Sequence, residues 1–304
     1  MAGPPPGLTD RGGPLGDEPA GHLLTTLMGD YWYASPEFVP SAALVALLAQ
    51  FGVGEAATRA ALSRQTRLGR LEGIRRGRTT AYRLAPRLVP AAVAHSRTLM
   101  RYGAEPRPWD GQWTCVVFSI PEARRHLRPA LRQRLRRMGL GPLFDGFWIT
   151  PWAPLDAIDE ALADLGVVEA AVFRVTEVAR RGRVDLTGAW DLPALRAGYA
   201  GLVDQLTELL ERLRRGEVGP AEALVARTAA TARWRVLVAD DPQLPDELLP
   251  DGWPLGEARR LFGAAYDELG PLAEVRARQV VGADEALDWP PPRAHRVADR
   301  FAEG

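Results

Sequence analysis

Apolar side chains fall on a helical period in three stretches near the amino end. Leu23, Leu24, Leu27 and Met28 share one face and predict a short first helix ending near Gly29. Leu44, Leu47, Leu48 and Phe51 repeat at i, i+3, i+4 and i+7 and predict a second, with Ser41 after Pro40 as its N-cap. A third runs from Glu55 to about Leu68, where Gly69 stops it. Its buried stripe should pass through Ala61, Leu62 and Leu68, with Thr58 and Gln65 as polar interruptions. The stretch RLEGIRRGRTTAYRL then reads as two strands around a turn at Arg76-Gly77. Three helices and a hairpin, with a tight Gly52-Val53-Gly54 turn between the second and third helices, follow the order of a winged helix-turn-helix.

The pattern changes after residue 86. Pro86, Pro90, Pro106 and Pro108 punctuate a linker with one helix from Ala91 to Met100. Then come a β-branched and aromatic strand (Trp113 to Ile120), a helix (Glu122 to Met138), a strand (Phe144 to Thr150), a helix (Leu155 to Leu165) and a strand (Val167 to Val175). That alternation predicts an open-faced, ferredoxin-like α+β layer, with residues 184–190 as the candidate for a missing strand. Four helical patterns follow: Leu192 to Arg214, Pro220 to Val238, Leu255 to Leu269 and Leu272 to Val280. The expected class is therefore α+β, in these segments: a disordered tail (1–20), a winged helix-turn-helix (21–86), a linker helix and proline-rich join (87–110), a ferredoxin-like middle domain (111–190), a helical C-terminal domain (191–282) and a second tail (283–304).

Composition narrows the function. The chain has 304 residues, 46% of them hydrophobic, and a net charge of zero, so it is no polycation. All 38 basic residues are arginine. The charge is uneven: Gly54 to Arg83 holds eight arginines against Glu55 and Glu72, whereas Val236 to the end holds fourteen acidic residues against seven arginines. An anionic partner for the basic segment follows. The single cysteine, Cys115, allows no internal disulfide and suits a reducing cytoplasm. His22, His95, His126 and His295 are scattered, which gives no metal-ligand spacing. The longest uncharged stretch, Phe38 to Gly54, is too short to span a membrane, and the amino end lacks a signal-peptide core.

The candidate chemistry is nucleic-acid recognition. Arg59, Ser63 and Arg67 share a face of the third helix, with Ala60 and Arg64 beside them. Small residues let a helix backbone approach a major groove, and arginine pairs with guanine or holds a phosphate. Arg75, Arg76 and Arg78 at the hairpin would then reach the DNA backbone or the adjacent minor groove. A solvated basic surface without a partner is the bland alternative. In the middle segment, Arg128 and Arg132 are candidate contacts for a phosphate-bearing effector, with Trp148 as a candidate wall for an aromatic acyl group. A solvated face and core packing, respectively, are their structural alternatives. Trp109, Trp113 and Trp152 carry the same two readings as Trp148.

Several blocks together resemble the PaaX-like family, the repressors of phenylacetic acid degradation. They are LLTTLMGDYW, the long run from FGVGEAATRAAL to TTAYRL, WDGQWTCVVFSIPEARRHLRPALRQRLRRMGLGPLFDGFWITP, and DDPQLPDELLPDGWPLGEARRLF. The resemblance implies a cytoplasmic homodimeric transcription regulator, usually a repressor. It would bind double-stranded, inverted-repeat operator DNA and be released by an acyl-CoA effector such as phenylacetyl-CoA. It implies no catalytic group, no metal and no cofactor. This chain departs from the family pattern in three places: Gln65 follows Ser63-Arg64, Gly69-Arg70-Leu71 precedes the wing, and TAATARWRVLVADDP lacks a histidine. Two other classes remain: a protein-interaction adaptor, and a nuclease-like enzyme, since such a middle domain also resembles CRISPR-associated endoribonucleases. The expected first strand ends Phe118-Ser119-Ile120-Pro121-Glu122, without the aspartate that metal-dependent cleavage would need there.

Overall fold

The computed structural model describes residues 19–32, 35–152, 154–176, 185–282 and 291–300. The fold is mixed α/β with two antiparallel sheets and a helical C-terminal region, divided into two compact units. The expected disordered tail at 1–20 lies almost wholly outside the described residues, as do 283–290 and 301–304.

The first unit comprises residues 1–102, 201–236 and 256–304. It opens with α1 (Pro19–Tyr31), longer than its apolar stripe predicts, and a two-residue strand β1 (Val39–Pro40) that the sequence pattern missed. Helices α2 (Ser41–Ala49) and α3 (Glu55–Arg67) follow, then the ribbon of β2 (Leu71–Arg76) and β3 (Thr79–Leu84), and α4 (Val89–Arg101). Ser41 is the first helical residue of α2, not its cap: Pro40 holds that position and no side chain caps the helix. Strand order is β1-β3-β2, with Val39 opposite Tyr82 and Leu71 opposite Leu84. Leu24, Leu27, Leu44, Leu47, Leu48 and Leu62 are fully buried where these helices meet.

The same unit takes most of the C-terminal helices. These are α7 (Leu192–Arg214) and α8 (Pro220–Asp240), whose far ends belong to the second unit, together with α9 (Leu255–Glu268) and α10 (Gly270–Val281). Trp234 of α8 stacks on Phe262 of α9 at 5.0 Å and donates its indole N–H to the Leu99 carbonyl at 3.0 Å. Arg276 of α10 donates twice to Gln50, at 2.8 and 3.1 Å. The described end of the expected second tail is tied down: the Arg293 amide donates to Tyr31 O at 3.1 Å, and Arg227 donates to His295 O at 2.7 Å.

The second unit comprises residues 103–200 and 237–255. Its strands are β4 (Trp113–Phe118), β5 (Gly141–Phe144), β6 (Phe147–Thr150) and β7 (Ala170–Val175), with α5 (Arg128–Arg137) and α6 (Leu155–Asp164) in the crossovers. The order β5-β6-β4-β7 is antiparallel throughout. Two sequence expectations change here. Phe144 to Thr150 is not one strand: it holds the last residue of β5, a turn at Asp145-Gly146 and then β6, and β5 is the missing strand. The candidate strand at 184–190 is instead a 3-10 turn at Thr187–Ala189, with residue 184 outside the described residues. Nor is Glu122 to Met138 a single helix. A 3-10 stretch, Glu122–Leu127, kinks at Arg124 before α5 begins, and Pro129 sits in the first turn of α5, where a missing N–H costs nothing.

Side chains alternate across the sheet. Val116 and Trp148, paired in register, face α5 and α6 in a core with Leu131, Leu135, Ile158 and Leu162. Trp113, Cys115 and Ile149 face the opposite side, covered by Leu186 and Ala189.

Candidate nucleic-acid interface

The rotation of α3 decides which of its residues can meet a partner. Thr58, Ala61, Leu62 and Gln65 are buried, and Leu68, expected inside, is 56% exposed. Both inward polar groups are satisfied locally. The Thr58 hydroxyl donates to Gly54 O at 3.2 Å, and Gln65 Oε1 accepts from Arg70 at 3.3 Å. Satisfied in this way, they take stripe positions where leucine would be expected at little cost.

At 100° per residue the face opposite that stripe is centred on Ala56, Ala60, Ser63 and Arg67, with Arg59 on one flank and Arg64 on the other. All six are exposed. Ala56 was missed from sequence; it lies one turn before Ala60 on the same ridge. Three small side chains thus form a low strip between arginines. Arg59 is held by Glu55 at 2.7 Å, an i,i+4 pair that favours the helix. Arg64 and Arg67 lie in the last turn, where the helix dipole favours cations. Gly69, at φ +66°, then turns the chain out: its amide donates to Thr66 O and that of Arg70 to Gln65 O, both at 2.9 Å.

The ribbon's turn residues are Gly77-Arg78, one position beyond the expected Arg76-Gly77, because Arg76 pairs with Thr79. Gly77 has φ +59°, the conformation that the first position of a type II′ turn requires of glycine. Arg75, Arg76 and Arg78 are exposed around it. Arg75 and Arg76, being adjacent in a strand, project to opposite faces of the ribbon. Arg75 donates to Gly77 O at 3.3 Å, and the Thr79 hydroxyl donates to Arg76 O at 2.8 Å, which stiffens the tip.

Not every arginine of the segment belongs to that surface. Arg83 makes two hydrogen bonds to Glu72 and one to Pro36 O, and lies 4.5 Å over the Phe38 ring. Arg70 serves Gln65. The segment's two carboxylates are met by Arg59 and Arg83, and Arg64, Arg67, Arg75, Arg76 and Arg78 are exposed on the α3 face and the ribbon tip.

The three candidate effector residues line neither of the two pockets described among these residues. Trp148 is 1% exposed inside the sheet–helix core, so it is no pocket wall. Arg128 donates to Ile120 O at 3.2 Å and sits 3.5 Å from Glu122; Arg132 pairs with Asp145. A pocket of about 220 Å³ beside the end of β4 is lined by Ser119, Arg124, Leu127 and Glu169 and contains none of the three. Trp113 packs against both Trp109 and Trp190, and Arg107 covers Trp152 at 3.7 Å. Burial pushes the Cys115 thiol up, away from reactivity. Among the described residues no three His, Cys, Asp or Glu side chains gather as a metal site, and no helix is long and apolar enough to cross a membrane.

Three family models match this chain in order. The PaaX-like protein model covers residues 20–88, the PaaX protein central Cas2-like domain covers 106–186, and the PaaX-like protein C-terminal domain covers 190–278. The chain belongs to the PaaX-like family. The α3–ribbon surface falls in the first PaaX-like match and the four-stranded sheet in the second. The Transcriptional repressor PaaX of Escherichia coli (strain K12) is 27% identical over 261 residues, 83% of this chain and 80% of that protein. A solved structure, the uncharacterized protein Rv0674 from Mycobacterium tuberculosis, is similar in fold: TM-score 0.52 at 24% identity, over 86% of this chain and 98% of that one.

Proposed function

We propose that this protein is a DNA-binding transcription regulator that acts as a repressor, with a winged helix-turn-helix in residues 21–86 and a ferredoxin-like middle domain. One observation carries the reading: a strip of Ala56, Ala60 and Ser63 between Arg59 and Arg64, beside a ribbon tipped by Arg75, Arg76 and Arg78, all exposed. Small side chains allow close approach to base edges, and flanking guanidiniums suit guanine or phosphate. The helix order and the three-stranded sheet support the winged-helix reading, and the β4-α5-β5-β6-α6-β7 connectivity supports the ferredoxin-like one. Likeness to a protein named as a transcriptional repressor supports the regulatory role.

In this reading a cytoplasmic homodimer sets two α3 helices into successive major grooves of an inverted repeat, a helical turn or a multiple of it apart. An acyl-CoA effector, with phenylacetyl-CoA as the first choice, favours an arrangement whose helix spacing no longer fits. The coupling equals the effector's differential affinity for the two arrangements.

The test is selection of duplexes from a random library by the full chain, followed by anisotropy titration across salt. An enriched inverted repeat, bound with affinity that falls steeply with salt, is the expected result. No enrichment and no salt dependence would reject the reading.

A further inference from the structure

The first unit contains a cavity of about 180 Å³. Met28 of α1, Leu71 and Leu84 at the base of the ribbon, and Val93 and Leu99 of α4 give it apolar walls; Arg235 of α8 supplies a cation. We propose that this cavity is a binding site for a small monocarboxylate of about one ring's bulk, its carboxylate held by Arg235.

Charge carries the argument. Among the described residues, the ionisable groups lining the cavity are Asp30, Glu37, His95 and Arg235. Glu37 is exposed to solvent, where its charge is screened. Asp30 is 3% exposed; it accepts from the Tyr266 hydroxyl at 3.2 Å and lies 3.9 Å from the guanidinium of fully buried Arg227. Arg235 also feels Asp30, yet its hydrogen bond goes to a neutral group, the Thr26 hydroxyl, at 3.0 Å. One interior carboxylate therefore answers two guanidiniums. Burial, and then the charge of Arg235, holds His95 below its ordinary value, which favours its neutral form. A half-buried guanidinium facing apolar walls without a full counter-charge is costly, and a carboxylate offers it bidentate pairing.

Size sets the rest of the ligand. A dry apolar cavity of about 150 Å³ accommodates benzene. A volume of about 180 Å³ suits one ring or a short alkyl chain with its carboxylate. Leu71 opens β2 and Leu84 closes β3, so an occupant touches the base of the ribbon that carries Arg75, Arg76 and Arg78. Regulation through that contact rests on the DNA-binding reading; the site itself does not.

The test uses the full chain with benzoate and hexanoate as probes and benzamide as the neutral isostere of benzoate. Thermal unfolding should shift up by about 2–4 °C at saturating benzoate and not at all with benzamide. Arg235→Met should weaken benzoate about tenfold by calorimetry, the loss of a charge-assisted pair. Val93→Trp, which fills the cavity without touching the charge, should abolish the benzoate shift while circular dichroism stays unchanged. The proposal is overturned if neither carboxylate shifts the transition, if benzamide matches benzoate, or if a folded Val93→Trp protein binds benzoate as before. Duplex binding measured without any probe tests the DNA reading separately, so either can fail while the other stands.

Discussion

Two arginine-rich regions of this molecule use the residue differently. Along Glu122–Arg137 six of the seven guanidiniums have partners within their own unit. Arg125 and Arg128 meet Glu122, Arg132 meets Asp145, Arg134 meets Asp164, Arg124 donates to Gly166 O, and Arg136 lies 5.6 Å from the Trp148 ring centre. From Gly54 to Arg83 the segment's own two carboxylates meet Arg59 and Arg83, while Arg64, Arg67, Arg75, Arg76 and Arg78 are exposed on α3 and the ribbon. The lesson is that a count of basic residues identifies a surface only after nearby acids have been subtracted in space. Asp145 and Asp164 lie 13 and 30 residues from the arginines they answer, beyond the reach of a local charge tally.

That contrast can be broken. The largest effect is expected from Arg64→Ala combined with Arg76→Ala, which should weaken duplex binding roughly 100-fold in anisotropy titrations; the pair Arg128→Ala and Arg132→Ala should leave it unchanged. If the second pair weakens binding as much as the first, the regions are not different in kind. Next, Arg64→Ala alone should cost about 1–3 kcal/mol on the preferred duplex and relax base preference at one position, read by repeating the selection. Arg76→Ala alone should weaken all sequences alike and reduce the salt slope by about 1. Smaller still, Arg132→Ala should lower unfolding stability in urea by less than about 1 kcal/mol, because its partner is exposed and solvent screens the pair.

The smallest effect concerns pH. A hydrogen bond from Arg174, at 2.7 Å, holds the Asp110 carboxyl below its usual range, helped by the Gln112 amide. A lowered carboxylate value means that the stabilisation is present at neutral pH and is lost as pH falls through that value. Acid titration of stability should therefore be slightly flatter for Asp110→Asn than for the parent chain.

The helices were legible in the sequence because burial on one side leaves a period. The bounds of α3 and its Gly69 stop stand as read, as do Arg59, Ala60, Ser63, Arg64 and Arg67 on one exposed side. The rotation of α3 was not fully legible. Thr58 and Gln65 are inside only because Gly54 O and Arg70 satisfy them, and such partners carry no hydrophobic signature. Strand β1 escaped because two residues, one of them proline, make no alternation. The hairpin at Asp145-Gly146 did carry a signal, Asp-Gly between apolar runs, but a continuous aromatic stretch masked it. Trp148 reads as a ligand wall or as core until its register opposite Val116 assigns it to the helix-covered face. Arg235 and its cavity gave no sequence signal, since their partners come from segments some 200 residues apart.

Arg227 has a consequence for dissecting the protein. It joins Tyr266 O, His295 O and Asp30, so the amino-terminal helix shares its innermost polar cluster with two carboxy-terminal segments. A fragment cut after the ribbon would leave buried Asp30 without the Arg227 counter-charge and uncover the face of α2 that α10 packs against. Ribosomal synthesis meets the same constraint: Asp30 gains these partners only after residues 227–295 have been made.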